Sequence, residues 1–151
     1  WWYCVGINEG GDRVSESVFK LSFREHGAEL DGEARWMMPY GRQQPAKEVI
    51  SHKSDKVSYT STKMFLEYKD PDFGRRGICV YNFGTSPQGA TLTGYLQDAK
   101  SDSRIQLYGM RIAGVNVEIP LTEEMFSTAR EQGRSSAHLR QYMHSETPKS
   151  E

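Results

Sequence analysis

Apolar and polar residues alternate along this chain from residue 1 to about residue 112, broken by short clusters of Gly, Pro, Asp and Ser. In the segment FKLSFR, for example, the apolar residues Phe19, Leu21 and Phe23 are separated by single polar residues. Because successive side chains of a strand point to opposite faces, each such segment predicts a strand with one buried and one wetted face. A helical period appears only after Pro120.

The alternation predicts a run of about eight strands joined by short turns. They cover about residues 1–8, 17–25, 28–38, 57–69, 77–83, 90–97 and 104–112, with a weaker candidate at 47–52. Pro39 and Pro45 bracket a loop, and the segment DPDFG after residue 69 predicts a turn. Short connections favour antiparallel neighbours, since parallel pairs need crossovers of about a dozen residues or more.

Three glycines fall in the middle of predicted strands, namely Gly32, Gly94 and Gly109. Glycine is unfavourable there unless the sheet bends sharply or another backbone comes close, and tight barrels need that bending. We therefore predict a mainly β fold, a small closed antiparallel up-and-down β-barrel that resembles a lipocalin. Its strands occupy about residues 1–113.

A helical segment is predicted at about residues 121–143. Thr122 suits the N-cap, Glu123 and Glu124 suit the positive first turn, and Gly133 is expected to interrupt or end the first helix. Residues 144–151 are interpreted as a frayed tail. All 151 residues are thus assigned to a single β-barrel domain with an accessory C-terminal helix.

Composition narrows the possible partners. The formal net charge is -1 and the sequence pI is near 6.5, so no global charge attracts the chain to DNA, RNA or anionic lipid. A mean hydropathy of -0.70 predicts a soluble domain. The chain starts without Met inside its first predicted strand, which we interpret as a domain of a longer protein. Cys4 and Cys79 are expected to be buried free thiols, with a disulfide between them as the alternative.

No catalytic signature stands out in the sequence. It holds no P-loop, no His pair at i, i+4, no nucleophile elbow and no paired CxxC. His138 and His144 lie six positions apart, on different helix faces. We therefore predict no enzyme activity, no catalytic residues, no metal site and no cofactor.

Tyrosines and basic residues within the predicted strands are the candidates for ligand binding. A tyrosine ring can stack on a base, and a guanidinium matches phosphate oxygens. Alternatively, the tyrosines straddle the barrel wall and the basic side chains extend to water. The candidate residues are Tyr59, Lys63, Tyr81, Tyr95, Tyr108, Arg111 and Arg24. Arg111 is expected at one mouth of the barrel if its strand face points inward.

The order of these segments resembles one known family. An aromatic opening strand, WWYCVG, leads to a hairpin with FKLSF and ELDGEARW; VSYTSTKMFLEY, GICVYNF, GATLTGYLQD and LYGMRI follow. Over about residues 1–115 this resembles the β-barrel receptor domain of bacterial CBASS antiphage effectors, of the two-transmembrane, β-strand-rich kind.

The resemblance implies a function that the residues alone do not. It implies a receptor for a cyclic dinucleotide, whose binding drives self-association of the full-length protein. Two transmembrane helices upstream of residue 1 would then disrupt the inner membrane, with the barrel facing the cytoplasm. Two alternatives stay open: a lipocalin-like carrier of a small apolar ligand, which predicts a deep apolar cavity, and a protein-interaction β-barrel, which predicts an exposed apolar patch.

Overall fold

The computed structural model describes residues 1–24, 27–36, 46–54, 57–59, 63–70, 75–86, 89–99, 104–116 and 118–143. In these ranges the chain forms nine strands and two helices. The strands are β1 (Trp2–Ile7), β2 (Arg13–Arg24), β3 (Gly27–Trp36), β4 (Ala46–Ser54), β5 (Val57–Tyr59), β6 (Lys63–Asp70), β7 (Arg75–Ser86), β8 (Gly89–Asp98) and β9 (Arg104–Arg111). The helices are α1 (Glu123–Ser135) and α2 (Arg140–Met143). For β4 and β5 only the backbone is described.

The strands form one antiparallel sheet in the order β4-β3-β2-β1-β9-β8-β7-β6-β5. Each strand neighbours the next one along the chain, except that β1 pairs with β9, where Cys4 lies opposite Gly109. The seven strands with described side chains, β1–β3 and β6–β9, curl into an open half-barrel. The prediction of a mainly β fold with a C-terminal helix is confirmed.

The concave face of the sheet, called here the inner face, is filled by apolar side chains. Its buried residues are Cys4, Phe19, Leu30, Met64, Leu66, Cys79, Tyr81 and Leu92. Since Leu30 of β3 and Met64 of β6 share this cluster, the inner face is packed from one side of the curl to the other.

The mid-strand glycines allow the close approaches that this curvature requires. A Cβ added at Gly32 or Gly94 would lie less than 3.0 Å from the carbonyl oxygen of Val18 or Val80 respectively. At Gly109 it would meet the Cys4 sulfur at similarly short range. The prediction that these glycines mark close backbone approach is confirmed.

The other face, called here the outer face, carries the helices over β1, β2 and β9. Tyr3, Val18 and Met110 of the sheet pack there against Phe126 of α1 and Leu139 before α2. Burying the apolar side of α1 in this way stabilises a helix too short to persist alone.

The start of α1 agrees with its sequence signals. Thr122 is extended at the N-cap, and its hydroxyl accepts a hydrogen bond from the Met125 backbone N–H at 3.2 Å. Glu123 and Glu124 occupy the first turn. The helix continues through Gly133 and ends at Ser135, where the Ser136 N–H donates to the Gly133 carbonyl.

Two strand predictions differ from the structure. The single strand expected at residues 57–69 is wrong, because β5 and β6 are separate strands that pair antiparallel, Tyr59 opposite Met64. β2 begins at Arg13, before the expected Ser17. The predicted loop between Pro39 and Pro45, the turn at residues 71–74 and the tail 144–151 lie outside the described residues.

Both cysteines are free and buried, as expected. They share the inner cluster, and burial is the main cause that raises the pKa of both thiols, that of Cys79 to about 12. The negative charge that Cys79 would carry adds to the upward pKa shift of Cys4.

Candidate functional site: a cleft at one end of the sheet

A cleft of about 680 Å³ lies between the sheet and the segment that leads into α1. The sheet contributes Trp1, Lys20 and Asp31 to its wall, and the opposite wall is formed by residues 118–120. This volume falls within the roughly 300–1,000 Å³ that is typical of small-molecule sites. The cleft is therefore large enough for a ligand of nucleotide size.

Strand register and a local turn place these side chains. The β2–β3 pairing sets Lys20 directly opposite Asp31, so both project from the same face of the hairpin. On the other wall, the Asn116 side chain accepts a hydrogen bond from the Glu118 N–H at 2.8 Å. The Asn116 carbonyl accepts a second bond from the Ile119 N–H at 3.1 Å. This turn holds Glu118 and Ile119 over the sheet.

Several polar groups of the cleft have no partner in the described part of the chain. Trp1 is only 8% exposed, and its indole Nε1 is buried without a hydrogen bond to any described residue. The Asp31 and Glu118 carboxylates form no hydrogen bond or ion pair with any described residue. The two carboxylates reach solvent and are therefore available to a ligand that enters the cleft.

Two cations lie at this end of the sheet. The Lys20 ammonium is 5.8 Å from the centroid of the Trp1 ring. The Ile112 N–H donates to the Trp1 carbonyl at 2.9 Å, so the end of β9 lies beside Trp1. Arg111, at the end of β9, is exposed and pairs in register with Trp2.

Of the seven residues predicted from the sequence, Arg111 ends β9 opposite Trp2 and does not line the cleft, and two tyrosines lie elsewhere in the core. Tyr81 is 3% exposed on the inner face and stacks on Phe19, with 6.3 Å between the ring centroids. Tyr108 lies on the outer face beneath α2, stacked on Tyr142 at 4.0 Å. The two rings thus pack on opposite faces of the sheet.

Tyr95 and Lys63 also lie on the outer face, away from the cleft. The Arg104 guanidinium stacks over the Tyr95 ring at 4.0 Å, and the Lys63 ammonium is 5.8 Å from the Phe65 ring. These contacts are aromatic–cation pairs within the sheet surface. The structure does not bring Tyr81, Tyr95, Tyr108 and Lys63 together.

The two remaining candidates are placed by backbone alone. Tyr59 pairs with Met64, and Arg24 pairs with Gly27 at the end of the β2–β3 hairpin. Their side chains lie outside the described residues.

Sequence reasoning missed Trp1, Lys20, Asp31 and Glu118 as site residues. A signal existed for one pair: extending the antiparallel β2–β3 hairpin from the Arg24–Gly27 pair sets Lys20 opposite Asp31. The contribution of Glu118 had no such signal, because only the folded connector places it near β2.

Beside the cleft, a buried ionic network joins the sheet to α1. Glu16 of β2 accepts hydrogen bonds from the Tyr3 hydroxyl at 2.8 Å and from the Arg130 guanidinium at two positions. Burial alone would raise the pKa of Glu16, but the bonds from Arg130 and Tyr3 lower it below its usual value. Glu16 is therefore ionised at neutral pH, although its side chain is only 4% exposed.

A second ion pair anchors the first turn of α1. The Arg35 guanidinium donates to both oxygens of Glu123, at 2.8 Å from Nη1 and 2.5 Å from Nη2. It also stacks over the Phe126 ring at 3.7 Å. The hydrogen bonds to Glu123 are the main cause that raises the pKa of Arg35. Only Leu121 and Thr122 separate this anchor from the wall of the cleft.

The donor set of the cleft suits binding by hydrogen bonds and charge. Within the described ranges, no group of three or more His, Cys, Asp and Glu side chains could hold a metal ion. In the same ranges, no helix is long and apolar enough to cross a bilayer.

Comparison with protein-family models, curated proteins and solved structures finds no match to this chain.

Proposed function

We propose that this chain is a receptor domain that binds a cyclic dinucleotide in the cleft between Lys20 and residues 118–120. The observation that carries the proposal is an aromatic wall, Trp1, with a cation 5.8 Å from its ring in a cleft of about 680 Å³. Phosphates attract Lys and Arg, and the Trp1 ring, only 8% exposed, forms an apolar floor against which the edge of a base can pack.

Each group of the cleft has a role in this proposal. Lys20 and Arg111 offset the two phosphate charges of the ligand. The carboxylates of Asp31 and Glu118, which have no partner among the described residues, accept hydrogen bonds from base amino or ring N–H groups, as carboxylates do in base recognition. Because the same carboxylates repel phosphate, they also favour poses in which a base, and not the phosphate, faces residues 118–120.

The dense packing of the inner face favours a ligand site at the end of the sheet rather than inside the half-barrel. A lipocalin-like carrier needs a deep apolar cavity. Here the inner face is occupied by its own side chains, with Leu66 and Leu92 at 0% exposure. A ligand at the rim requires no empty interior.

Closure of the half-barrel into a full barrel belongs to this proposal. β4 and β6 run close to each other, and Leu30 and Met64 meet in one inner cluster. A sheet closed between these strands would protect its two edge strands.

The wider role follows from the sequence resemblance. The domain would be the sensor of an antiphage defence effector at the cell inner membrane, facing the cytoplasm. Its ligand would be the second messenger of infection, and ligand-driven self-association would act on transmembrane helices of the full-length protein to disrupt that membrane.

The test of the site is a titration of single variants. Lys20→Ala and Arg111→Ala should each weaken binding of a cyclic dinucleotide by about 1.5–3 kcal/mol, the usual loss for one charge-assisted hydrogen bond. Isothermal titration calorimetry with 3′,3′-linked cyclic dinucleotides measures this. Arg140→Ala, which removes an exposed cation on α2, is the matched control and should bind like the unmodified chain. If the Lys20 variant and the control bind the ligand with equal affinity, the ligand does not bind in this cleft.

A further inference from the structure

The outer face beyond the helices exposes large apolar side chains on β6 and β7. Phe65 is 40% exposed and Ile78 is 41% exposed, whereas Val80 between them is buried at 2%. In the strand register Phe65 lies opposite Val80, so Phe65 and Ile78 border one apolar surface. Phe65 and Ile78 are two of the three large apolar side chains that are exposed among the described residues, which makes this surface a candidate for a protein contact.

The charges around Phe65 have opposite signs on its two sides. Lys63 precedes it by two positions on β6, and Glu67 follows it by two, so all three share the outer face. The Lys63 ammonium stays close to the Phe65 ring, and Glu67 lies opposite Ile78. Lys63, Phe65, Glu67 and Ile78 are called the outer strip below.

We propose that the outer strip binds a second copy of this chain, face to face, about a two-fold axis. The axis lies in the plane between the sheets, perpendicular to β6, and passes by Phe65. It reverses the strand direction, so that Lys63 of each copy faces Glu67 of the other while the two Phe65 rings meet. A two-fold contact of this kind uses the same surface twice and closes on itself as a dimer.

The order of charges selects this partner and this orientation. An axis parallel to β6 would set Lys63 against Lys63 and Glu67 against Glu67, which like-charge repulsion disfavours. A sequence that reads positive, aromatic, negative along one strand is complementary to itself only when reversed. A strip of one charge sign would fit an oppositely charged partner instead.

The dimer contact is separate from the ligand cleft. Its residues lie on β6 and β7, whereas the cleft lies at β1, β2, β3 and residues 118–120. The contact can therefore be tested without any nucleotide, and its failure would leave the proposed ligand site standing. If both hold, the strip is the surface through which the proposed self-association takes place.

The test is a charge-swap cycle followed by sedimentation equilibrium of the chain without ligand, from roughly 1 µM to 1 mM, the range for small transient contacts. Lys63→Glu alone sets like charges against each other twice per dimer, and Glu67→Lys alone does the same. Each should weaken dimerisation by roughly tenfold. The double variant restores opposite charges and should return to within about threefold of the original dissociation constant.

Two further variants distinguish this contact from non-specific association through exposed apolar side chains. Phe65→Ser should abolish the dimer, whereas Ile119→Ser, which removes a 47% exposed apolar side chain elsewhere, should leave it unchanged. Because Glu67 also takes part in an interaction within its own chain, circular dichroism must show all variants folded. A chain that is monomeric up to about 1 mM, or a double variant no better than the singles, overturns the proposal.

Discussion

Replacing Gly94 with alanine is expected to destabilise the fold by about 3 kcal/mol or more, enough to remove a large part of the stability of a domain this size. The added Cβ would lie less than 3.0 Å from both the oxygen and the carbon of the Val80 carbonyl. Both atoms belong to the backbone of β7, so the clash cannot be relieved by a change of rotamer. The sheet must open locally between β7 and β8.

Gly84→Ala is the matched control, since it is also a strand glycine of the β7–β8 hairpin. There the nearest atom to the added Cβ would be the Thr91 hydroxyl oxygen at 3.1 Å, which belongs to a side chain that can rotate. We expect a change below about 1 kcal/mol at this position. Urea unfolding followed by circular dichroism compares the two. Equal stability of both variants would contradict the close β7–β8 approach.

Replacing Arg130 with alanine is expected to cost about 3 kcal/mol, because it leaves the carboxylate of Glu16 buried with its main counter-charge removed. Glu16 has only 4% of its side chain exposed, so water cannot readily replace the guanidinium. Tyr3 keeps its hydrogen bond to Glu16 at 2.8 Å and compensates in part. Since Arg130 belongs to α1, the loss should appear first as detachment of the helix, visible by hydrogen exchange.

The pH dependence identifies the cause of this loss. The pKa of Glu16 is lower in the folded chain than in the unfolded one, so its stabilising contribution is present at neutral pH. That contribution disappears as the pH falls from about 4.5 through the folded pKa. The difference between Arg130→Ala and the original chain should therefore be large at pH 7 and shrink near pH 3. Arg140→Ala, an exposed arginine on α2, should differ little at either pH, and a loss that does not change with pH would point to packing instead.

The sequence predicted most of the architecture because alternation and capping act locally. The alternation around Phe19 and Leu21 places one face of β2 in the inner cluster, and Thr122 caps α1 as its spacing indicates. Gly94 marks a close backbone approach without any knowledge of its neighbour. Each of these features depends on residues a few positions apart.

The reversal between β5 and β6 escaped prediction for a physical reason. The segment from Val57 to Asp70 keeps a nearly continuous strand-like pattern and contains neither Gly nor Pro. Two strands of a hairpin have the same alternation as one long strand, so periodicity cannot show where the chain turns. Only the pairing of Tyr59 with Met64 reveals it.

The site could be predicted only in part, because its residues come from distant segments. Arg111 was singled out as a cation at the end of an apolar strand, and it does lie at the end of β9, opposite Trp2. Lys20 resembled an ordinary solvated residue of β2, and nothing local connected it with residues 118–120. The face and the strand end on which a residue lies can be read from its sequence neighbours. The segment that forms the opposite wall of a cleft is known only from the tertiary structure.

The position of the cleft suggests how a bound ligand would influence the rest of the chain. One wall belongs to β2 and β3, and the other leads within two residues to Glu123, which Arg35 of β3 holds. A ligand that bridges both walls would strengthen the attachment of α1. By linkage, a variant in which α1 is mostly detached should bind the ligand more weakly, by the factor with which the ligand favours the attached helix.

The most direct test of the central claim is calorimetric titration of the chain with a panel of cyclic dinucleotides, cyclic trinucleotides, linear dinucleotides and ATP. We predict that at least one cyclic dinucleotide binds with a stoichiometry of one per chain and at least about tenfold more tightly than its linear counterpart. If no cyclic dinucleotide binds more tightly than the linear dinucleotides or ATP, the chain is not a receptor of this kind.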